Sequence, residues 1–259
     1  MTTVFQPQRF DAPLVNPSPN GLDSATIWQD SAEPLRWLPE GLEVRPWNFG
    51  DVGGFGIWSA AWCASEADLT DEDRKLPGVR PEPLAPFLAV VSWSASSCDM
   101  RAESRAETRT RAQQLHRMRE PIAVEQAFAE RLLDDAGTPA AASDLVEAVS
   151  KIEDALAEAN TLGVVHARAG WLPYAAQAQL LVRTGSALRT PGGHQWVFGG
   201  GYVAGLGDTL VATSQPFGWR QPVQVDEGIT EAHDAFVASV ERSLVVGYEA
   251  TFGAVTVTP

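Results

Sequence analysis

Apolar residues recur at helical spacing in the middle of the chain and in short separate runs after it. Beyond Ser143, four apolar residues follow at intervals of four, three and four positions: Leu145, Val149, Ile152 and Leu156. This stripe predicts an amphipathic helix with Ser143 as its N-cap. One face of such a helix packs on a core while the opposite face meets solvent.

A longer helix is predicted upstream, from Asp99 as a candidate N-cap to Gly137 as a terminator. Acidic and basic residues alternate at helical spacing in its first half, and apolar residues follow one side of its second half. Pro121 lacks a backbone N–H, so we expect it to kink or restart this helix. The basic residues are the one local concentration of positive charge, here called the arginine stripe: Arg101, Arg105, Arg109, Arg111, Arg117 and Arg119.

Strand signals account for most of what remains. A third helix is predicted over residues 174–183, with Pro173 in its first turn and Gly185 beyond its end. Short apolar runs bounded by turn residues predict strands at 87–93, 163–167, 187–190, 194–198, 209–213, 223–225, 236–248 and 254–258. Helices and strands in this order indicate an α+β fold.

The leading part of the chain has a different pattern. Residues 1–35 contain five prolines and almost no periodicity, which predicts an extended arm. Residues 36–62 carry four tryptophans around the glycines at 50, 53, 54 and 56, which predicts two strands joined by a glycine-rich turn. Trp37, Trp47 and Trp58 are therefore candidate subunit contacts, because tryptophan is enriched at interfaces; an ordinary core role is an equal alternative. Residues 66–86 indicate a charged, proline-rich surface loop.

Composition restricts the classes of function. Lys and Arg total 19 against 33 Asp and Glu, a net charge of −14, which argues against a protein that grips nucleic acid by neutralising phosphates. Cys63 and Cys98 lie far apart in sequence, which favours reduced thiols over a disulfide. We expect no secretory signal and no membrane span, because no basic segment precedes an apolar stretch and no apolar window is long enough.

No constellation of catalytic, cofactor-binding or metal-binding residues emerges. The stretch GGGYVA, residues 199–204, fits the outline of a dinucleotide-binding loop, but a working loop must open a helix and none is predicted there. These glycines are better explained as a flexible connection between strands. The four histidines are scattered without ligand spacing, and His166 lies inside an apolar strand, which favours a hydrogen-bonded core residue over a general base.

The order of elements resembles the capsid fold named after phage Hong Kong 97 (HK97), which tailed-phage major capsid proteins share with encapsulin shells. EPIAVEQAFAERLLDDAG is similar to the end of that fold's spine helix, and SDLVEAVSKIEDALAEANTLGVVHARAGWLPYAAQAQLLV to the start of its axial domain. HQWVFGGGY, GDTLVATSQPFGWRQPVQV and AFVASVERSLVVGYEATFGAVTV resemble its later strands. RWLPEG, VVHARAG and ERSLVVGYE are similar to stretches in capsid-like proteins of phages that infect actinobacteria.

The resemblance implies a division of the chain into four parts. These are an N-terminal arm (1–35), an extended β-hairpin loop (36–92), a peripheral domain with the spine helix (93–140 and 226–259) and an axial domain (141–225). It implies a structural protein, with no catalytic activity, cofactor or metal, that assembles in a host cytoplasm into the hexamers and pentamers of an icosahedral virion shell. The implied partners are identical subunits, a separate scaffolding protein, a portal and packaged double-stranded DNA bound without sequence specificity.

Several expectations depart from the family or stay open. The family's cross-linked shells use a loop lysine, and this chain has only Lys75 and Lys151, so we expect no covalent cross-linking. The arm is too short and proline-rich for a cleaved scaffolding segment. Alternative functions are an encapsulin-type nanocompartment shell or another virion protein such as a tail-tube subunit. Arg101, Arg105 and Arg109 are candidate contacts with acidic surface on a neighbouring copy, the alternative being a solvated helix face.

Overall fold

The computed structural model describes residues 11–32, 40–50, 52–73, 75–230 and 234–258. Its helices are α1 (Leu22–Ala25), α2 (Ala102–Ala136), α3 (Leu145–Glu158), α4 (Leu172–Gln177) and α5 (Tyr202–Gly205). Its strands are β1 (Ile27–Asp30), β2 (Val90–Cys98), β3 (Ala140–Ala142), β4 (Val164–Arg168), β5 (Val182–Thr184), β6 (Ala187–Arg189), β7 (Gln195–Gly199), β8 (Thr209–Thr213), β9 (Phe217–Arg220), β10 (Gln224–Thr230), β11 (Ala235–Gly247) and β12 (Thr251–Val257). The predicted α+β class is confirmed.

The first sheet is organised around the long strand β11. One edge of β11 pairs antiparallel with β2 along its length, from Phe236 opposite Cys98 to Leu244 opposite Val90. The other edge pairs first with β10 and then with β9, and β1 adds to β9 in parallel. The N-terminal half of α2 covers one face, where Ala112 packs with residues of β11. This sheet and α2 therefore form one layered unit.

The second sheet has seven strands in the order β3-β12-β8-β4-β7-β6-β5. Side chains on successive positions of its central strands point to opposite faces, so the sheet contributes to two cores. On one face Val165 and Leu210 pack with Ile152 and Leu156 of α3. On the other face, residues of β4, β7 and β8 pack with Phe128, Ala129 and Leu132 from the C-terminal half of α2. The helix α2 thus joins the two sheets.

The expected interruption of α2 at Pro121 is wrong, because the helix continues from Ala102 to Ala136 through the proline. Contacts on both sides offset the missing hydrogen bond. Immediately before the proline, Glu120 is buried and accepts hydrogen bonds from Ser92 of β2 and Arg242 of β11. Four residues after it, Glu125 accepts backbone N–H groups from distant segments. Tertiary packing therefore keeps the helix intact.

Both predicted helix caps are displaced in the structure. Arg101 occupies the N-cap position of α2, and the carboxylate of Asp99 accepts its backbone N–H at 3.1 Å. Asp144, not Ser143, caps α3 by accepting the Glu147 N–H at 2.8 Å. Ser143 takes the reciprocal role, since its N–H and hydroxyl donate to the Glu147 carboxylate. The capping interactions are those that the sequence suggests, one or two residues from the predicted positions.

The third helix is shorter than predicted. It ends at Gln177 because the chain turns there: Gln179 has a φ of 59°, and the Leu180 N–H bonds to the Ala175 carbonyl at 2.8 Å. Of the residues expected to continue the helix, Val182 and Arg183 belong to β5 instead. Most predicted strands are present with shifted ends, and β8 has the predicted bounds.

The stretch expected to form an extended arm, residues 1–35, contains two short elements among its described residues. Residues 11–18 are almost wholly exposed, but α1 and β1 follow, and Leu22 and Ala25 are buried in the core between α2 and the second sheet. The partner edge of β1 is supplied by β9, almost 200 residues later in the chain. Local pattern alone could not reveal that partner.

The predicted hairpin strands of residues 36–62 are absent from the described residues of the loop. Residues 40–50, 52–73 and 75–89 contain one isolated bridge, between Leu42 and Phe87, and three short 3-10 turns. A two-stranded ladder is marginal in water unless one face packs on something, and these aromatic residues have little of their own subunit to pack against. The segment is extended without forming a sheet. The division into four domains stays a prediction.

Candidate assembly surface

The feature most open to a partner is the extended segment, defined here as residues 43–86. Its two ends meet at a narrow neck, where Leu42 and Phe87 exchange backbone hydrogen bonds of 2.8 and 2.9 Å. Gly41 is required at this point: its φ is 76°, and a Cβ there would lie 2.5 Å from the Phe87 carbonyl oxygen. Phe87 itself is buried, so the neck belongs to the body of the subunit.

Beyond the neck, large apolar side chains face solvent. Trp62 is fully exposed, and Phe55, Ile57 and Val79 are each more than four-fifths exposed. A soluble monomer rarely collects so many exposed apolar residues in one place, and such patches mark interaction surfaces. This segment therefore has the character of an unfilled interface.

The structure places two of the three predicted tryptophan contacts on this segment. Trp47 is 74% exposed and lies beside the guanidinium groups of Arg45 and Arg80. Trp58 is 55% exposed; its indole N–H donates to the Asp73 carbonyl, and the Lys75 ammonium lies 5.4 Å from its ring centroid. Trp37 lies outside the described residues. Their exposure disfavours the alternative of an ordinary core for Trp47 and Trp58.

The arginine stripe is partly engaged within its own subunit. Arg101 pairs with Asp99, and Arg105 donates to the Met100 carbonyl at 3.0 Å. Arg109 forms a two-point ion pair with Glu227 of β10. The guanidinium groups of Arg105 and Arg109 also each lie 5.5 Å from the ring centroid of Phe236. Sequence reasoning missed Glu227 and Phe236, since nothing local connects β10 and β11 with α2.

The glycine-rich stretch at 199–201 surrounds an internal carboxylate. Gly201 donates its N–H to one oxygen of Glu125 at 2.8 Å, and Leu22 donates to the other at 2.9 Å. Burial raises the pKa of Glu125, and the N–H groups of Gly201, Leu22 and Gly200 oppose that rise. The N–H groups of this glycine stretch thus interact with an acidic side chain of the protein itself.

Two details of the sequence interpretation of this stretch are corrected. One helical turn, α5, does follow the glycines. The glycines also form a close contact and not a flexible connection, because a Cβ at Gly201 would lie 2.3 Å from the Ile122 carbonyl oxygen on α2. Glu125 was not singled out from the sequence. Its only signal was an acidic residue on the apolar side of a predicted helix.

His166 is a hydrogen-bonded core residue. It is fully buried, with Nδ1 3.0 Å from the Tyr202 hydroxyl and Nε2 2.9 Å from the Thr213 hydroxyl. Burial lowers the pKa of His166 to about 3, so its ring is neutral over the physiological range. Both nitrogens already have partners in the core, which leaves none for chemistry.

The remaining candidate chemistry stays dispersed. His116 lies 3.0 Å from the Ser92 hydroxyl, and the His194 Nδ1 accepts the Gly163 N–H at 3.2 Å, while His233 is outside the described residues. Within the described ranges, no group of three or more metal-ligating side chains converges. Cys63 and Cys98 are both free and exposed. No helix among the described residues combines the length and apolar character needed to cross a bilayer.

Comparisons with known proteins give a fold but no sequence family. No protein-family model and no curated protein sequence matches the chain. A solved structure of the mature capsid of bacteriophage PhiM1 superposes with a TM-score of 0.54 at 10% identity, covering 100% of this chain and 92% of that one. A structure from Mycobacterium phage Adephagia gives 0.54 at 14% identity, covering 99% and 95%.

A virus-like particle from Pyrococcus furiosus is also similar, with a TM-score of 0.52, 10% identity and 92% of each chain covered. At such low identity these likenesses bear on the fold. The chain has the HK97-type capsid fold, as the order of its elements predicted.

Proposed function

We propose that this chain is the major capsid protein of a tailed phage. Identical copies form hexamers and pentamers, which close into an icosahedral shell around double-stranded DNA. The observation that carries this proposal is the extended segment, which exposes Phe55, Ile57 and Trp62 on a subunit with the HK97-type fold. In a monomer such a segment leaves apolar surface exposed to water. In a lattice a neighbouring copy covers that surface.

Burial of apolar surface supplies the driving force. Each Å² of apolar area removed from water contributes roughly 25 cal/mol, before the cost of ordering the subunits. A single contact of this kind can be weak, while many repeated contacts hold a closed shell together. Weak individual contacts also allow misplaced subunits to leave before closure.

The acidic composition fits a container for DNA better than a DNA-binding protein. A net charge of −14 disfavours adsorption of the packaged genome to the wall. The shell therefore encloses the DNA without sequence-specific contacts. A separate scaffolding protein and a portal complete the proposed assembly, which takes place in the host cytoplasm and yields a virion with no membrane component.

Negative-stain electron microscopy of the purified chain, alone and with a co-expressed scaffolding partner, tests the proposal. Closed shells are expected for the wild type. The variant F55S/W62S is expected to give few or none, with an unchanged unfolding midpoint, because both side chains lie outside the core. V146S, which alters an exposed apolar residue of α3, is the matched control. Normal particle yield from F55S/W62S would contradict the proposed role of the segment.

The contents of the particles separate the alternatives. An encapsulin-type nanocompartment shell is the second candidate, and the capsid structures among the neighbours do not favour it. Shells that enclose a co-purifying enzyme and no nucleic acid would favour that candidate. Open tubes or stacked rings would favour a tail-tube subunit, and a strictly monomeric chain under all conditions would exclude every shell function.

A further inference from the structure

The extended segment is held at its base by two charged side chains of the subunit body. One belongs to Glu249, in the turn between β11 and β12, and contacts the outgoing limb of the segment. The other belongs to Arg131 on α2 and contacts the returning limb. Both contacts are made just outside the neck formed by Leu42 and Phe87. The direction of the segment is therefore set at these contacts.

The carboxylate of Glu249 accepts hydrogen bonds from N–H groups of the outgoing limb. One carboxylate oxygen accepts the backbone N–H groups of Trp47 and Asn48, and the other accepts the Asn48 side-chain amide at 2.6 Å. The next residue, Phe49, packs edge-to-face on Phe252 of β12 with ring centroids 5.0 Å apart. The turn that carries Glu249 is itself fixed, because the backbone N–H of Glu249 donates to the Ser214 hydroxyl at 3.0 Å.

The guanidinium of Arg131 donates hydrogen bonds to carbonyl groups of the returning limb. Its guanidinium donates to the carbonyl oxygens of Ala85 and Pro86, the latter at 3.0 Å, and lies 4.1 Å from the ring centroid of Phe87. A third donor of the same guanidinium pairs with Asp135 at 2.7 Å, and Asp135 in turn accepts the Tyr248 hydroxyl at 2.7 Å. The fork of Arg131 is therefore held in one orientation.

The two contacts are complementary in chemistry. Glu249 accepts hydrogen bonds from N–H groups of one limb, and Arg131 donates hydrogen bonds to carbonyl groups of the other. Each side chain therefore binds mainly backbone atoms. Charge-assisted hydrogen bonds are among the stronger ones, and two of them on opposite limbs fix a direction as well as a position. Contacts of this kind leave the aromatic side chains farther along the segment free for a partner.

We propose that Glu249 and Arg131 are positioning residues that set the direction in which the extended segment leaves the subunit. This inference rests on the proposed function, because its consequence is that the segment meets a second copy in a defined orientation. The pair acts before assembly, within the single subunit. Loss of either contact leaves the core intact and lets the segment swing about its neck.

Limited proteolysis of the unassembled subunit tests the contact on the outgoing limb. Chymotrypsin cleavage after Trp47 and Phe49, which lie on the outgoing limb of the segment, is expected to become about tenfold faster in E249Q. The unfolding midpoint is expected to stay unchanged. E43Q, which removes one charge from an exposed position of the same segment, is the matched control and should cleave at the wild-type rate.

A double variant distinguishes positioning from a general structural effect. In E249Q/N48D the amide introduced at position 249 can donate to the carboxylate introduced at position 48, which reverses the side-chain hydrogen bond and keeps the net charge. Wild-type cleavage rates and particle yield should return. R131K keeps the charge but loses the fork, so faster chymotrypsin cleavage after Leu84 on the returning limb and fewer particles are expected.

Two outcomes would overturn the inference. Unchanged cleavage in both E249Q and R131K would show that the side chains do not hold the segment. Faster cleavage with full particle yield would show that its direction does not matter for assembly. If the wild type forms no particles at all, the proposed function fails instead, and proteolysis of the subunit still decides whether the segment is held.

Discussion

The guanidinium of Arg109 and the carboxylate of Glu227 form an ion pair that links α2 to β10, with Nη2 2.8 Å from Oε2. The hydrogen bond from Arg109 lowers the pKa of Glu227, because it favours the charged form of the carboxylate. This residue of the arginine stripe therefore has a partner inside its own subunit. The role of the stripe at a neighbouring copy has to be tested residue by residue.

The pair predicts the behaviour of a charge swap. R109E places two carboxylates against each other and should reduce particle yield in electron micrographs. R109E/E227R restores the pair with its polarity reversed and should assemble like the wild type. A double variant that remains defective would show that Arg109 also meets an acidic surface on another copy.

Arg105 is the sharper candidate for a contact between subunits. Its guanidinium donates to the Met100 backbone carbonyl and lies over the ring of Phe236, with no acidic partner in that contact. R105E should lower particle yield while the unfolding midpoint of the isolated subunit stays unchanged. R111E, on the same helix, is the control for a simple change of net charge. Equal yields from both variants and the wild type would show that Arg105 does not contribute to assembly.

Neighbouring glycines should respond very differently to alanine. A Cβ at Gly200 would lie 3.7 Å from the Ile122 side chain, an ordinary contact, so G200A should leave stability within about 0.5 kcal/mol of the wild type. A Cβ at Gly201 would collide with the Ile122 carbonyl, and G201A should cost about 2–4 kcal/mol. Urea unfolding measures both, and equal effects would contradict the close packing of this loop on α2.

His166 should make the subunit sensitive to acid. The pKa of this buried ring is lowered from 6.5 to about 3, so below pH 6.5 the unfolded chain binds a proton that the folded chain does not. The free energy of unfolding therefore falls by roughly 1.4 kcal/mol per pH unit, or about 2 kcal/mol between pH 7 and pH 5. This stability is fully present above pH 6.5.

H166Q keeps a polar, uncharged side chain at the site and should remove that part of the pH dependence. Urea unfolding at pH 7 and pH 5 measures it for both proteins. The wild type and H166Q should converge as the pH falls, even if the variant is less stable at pH 7. Parallel losses of stability in the two proteins would show that other groups cause the acid sensitivity.

Local pattern was sufficient for elements that carry their own signal. The stripe from Leu145 to Leu156 predicted α3, and the apolar run at 209–213 predicted β8. The apolar strand around His166 predicted a core role for that residue. Residues whose roles depend on distant partners gave no such signal. Glu125, Arg131 and Glu249 have local surroundings like those of many surface charges.

Two errors share one cause. Pro121 was expected to interrupt α2, and the tryptophan-rich stretch was expected to form a hairpin. In both cases intrinsic preference was read without knowledge of the surroundings: contacts made by Glu120 and Glu125 hold the helix together, and exposed aromatics such as Trp62 find no sheet face in their own subunit.

The sequence by itself determined the α+β class, the order of elements and the resemblance to the HK97-type fold, because periodicity and turn residues act over short distances. The tertiary structure decided which carboxylate accepts the N–H groups of the glycine loop and which strand pairs with β1. It also decided which side chains hold the base of the extended segment. Those relationships join residues that are far apart in the chain. Hydrogen bonds and close packing depend on distances in space, which sequence separation does not encode.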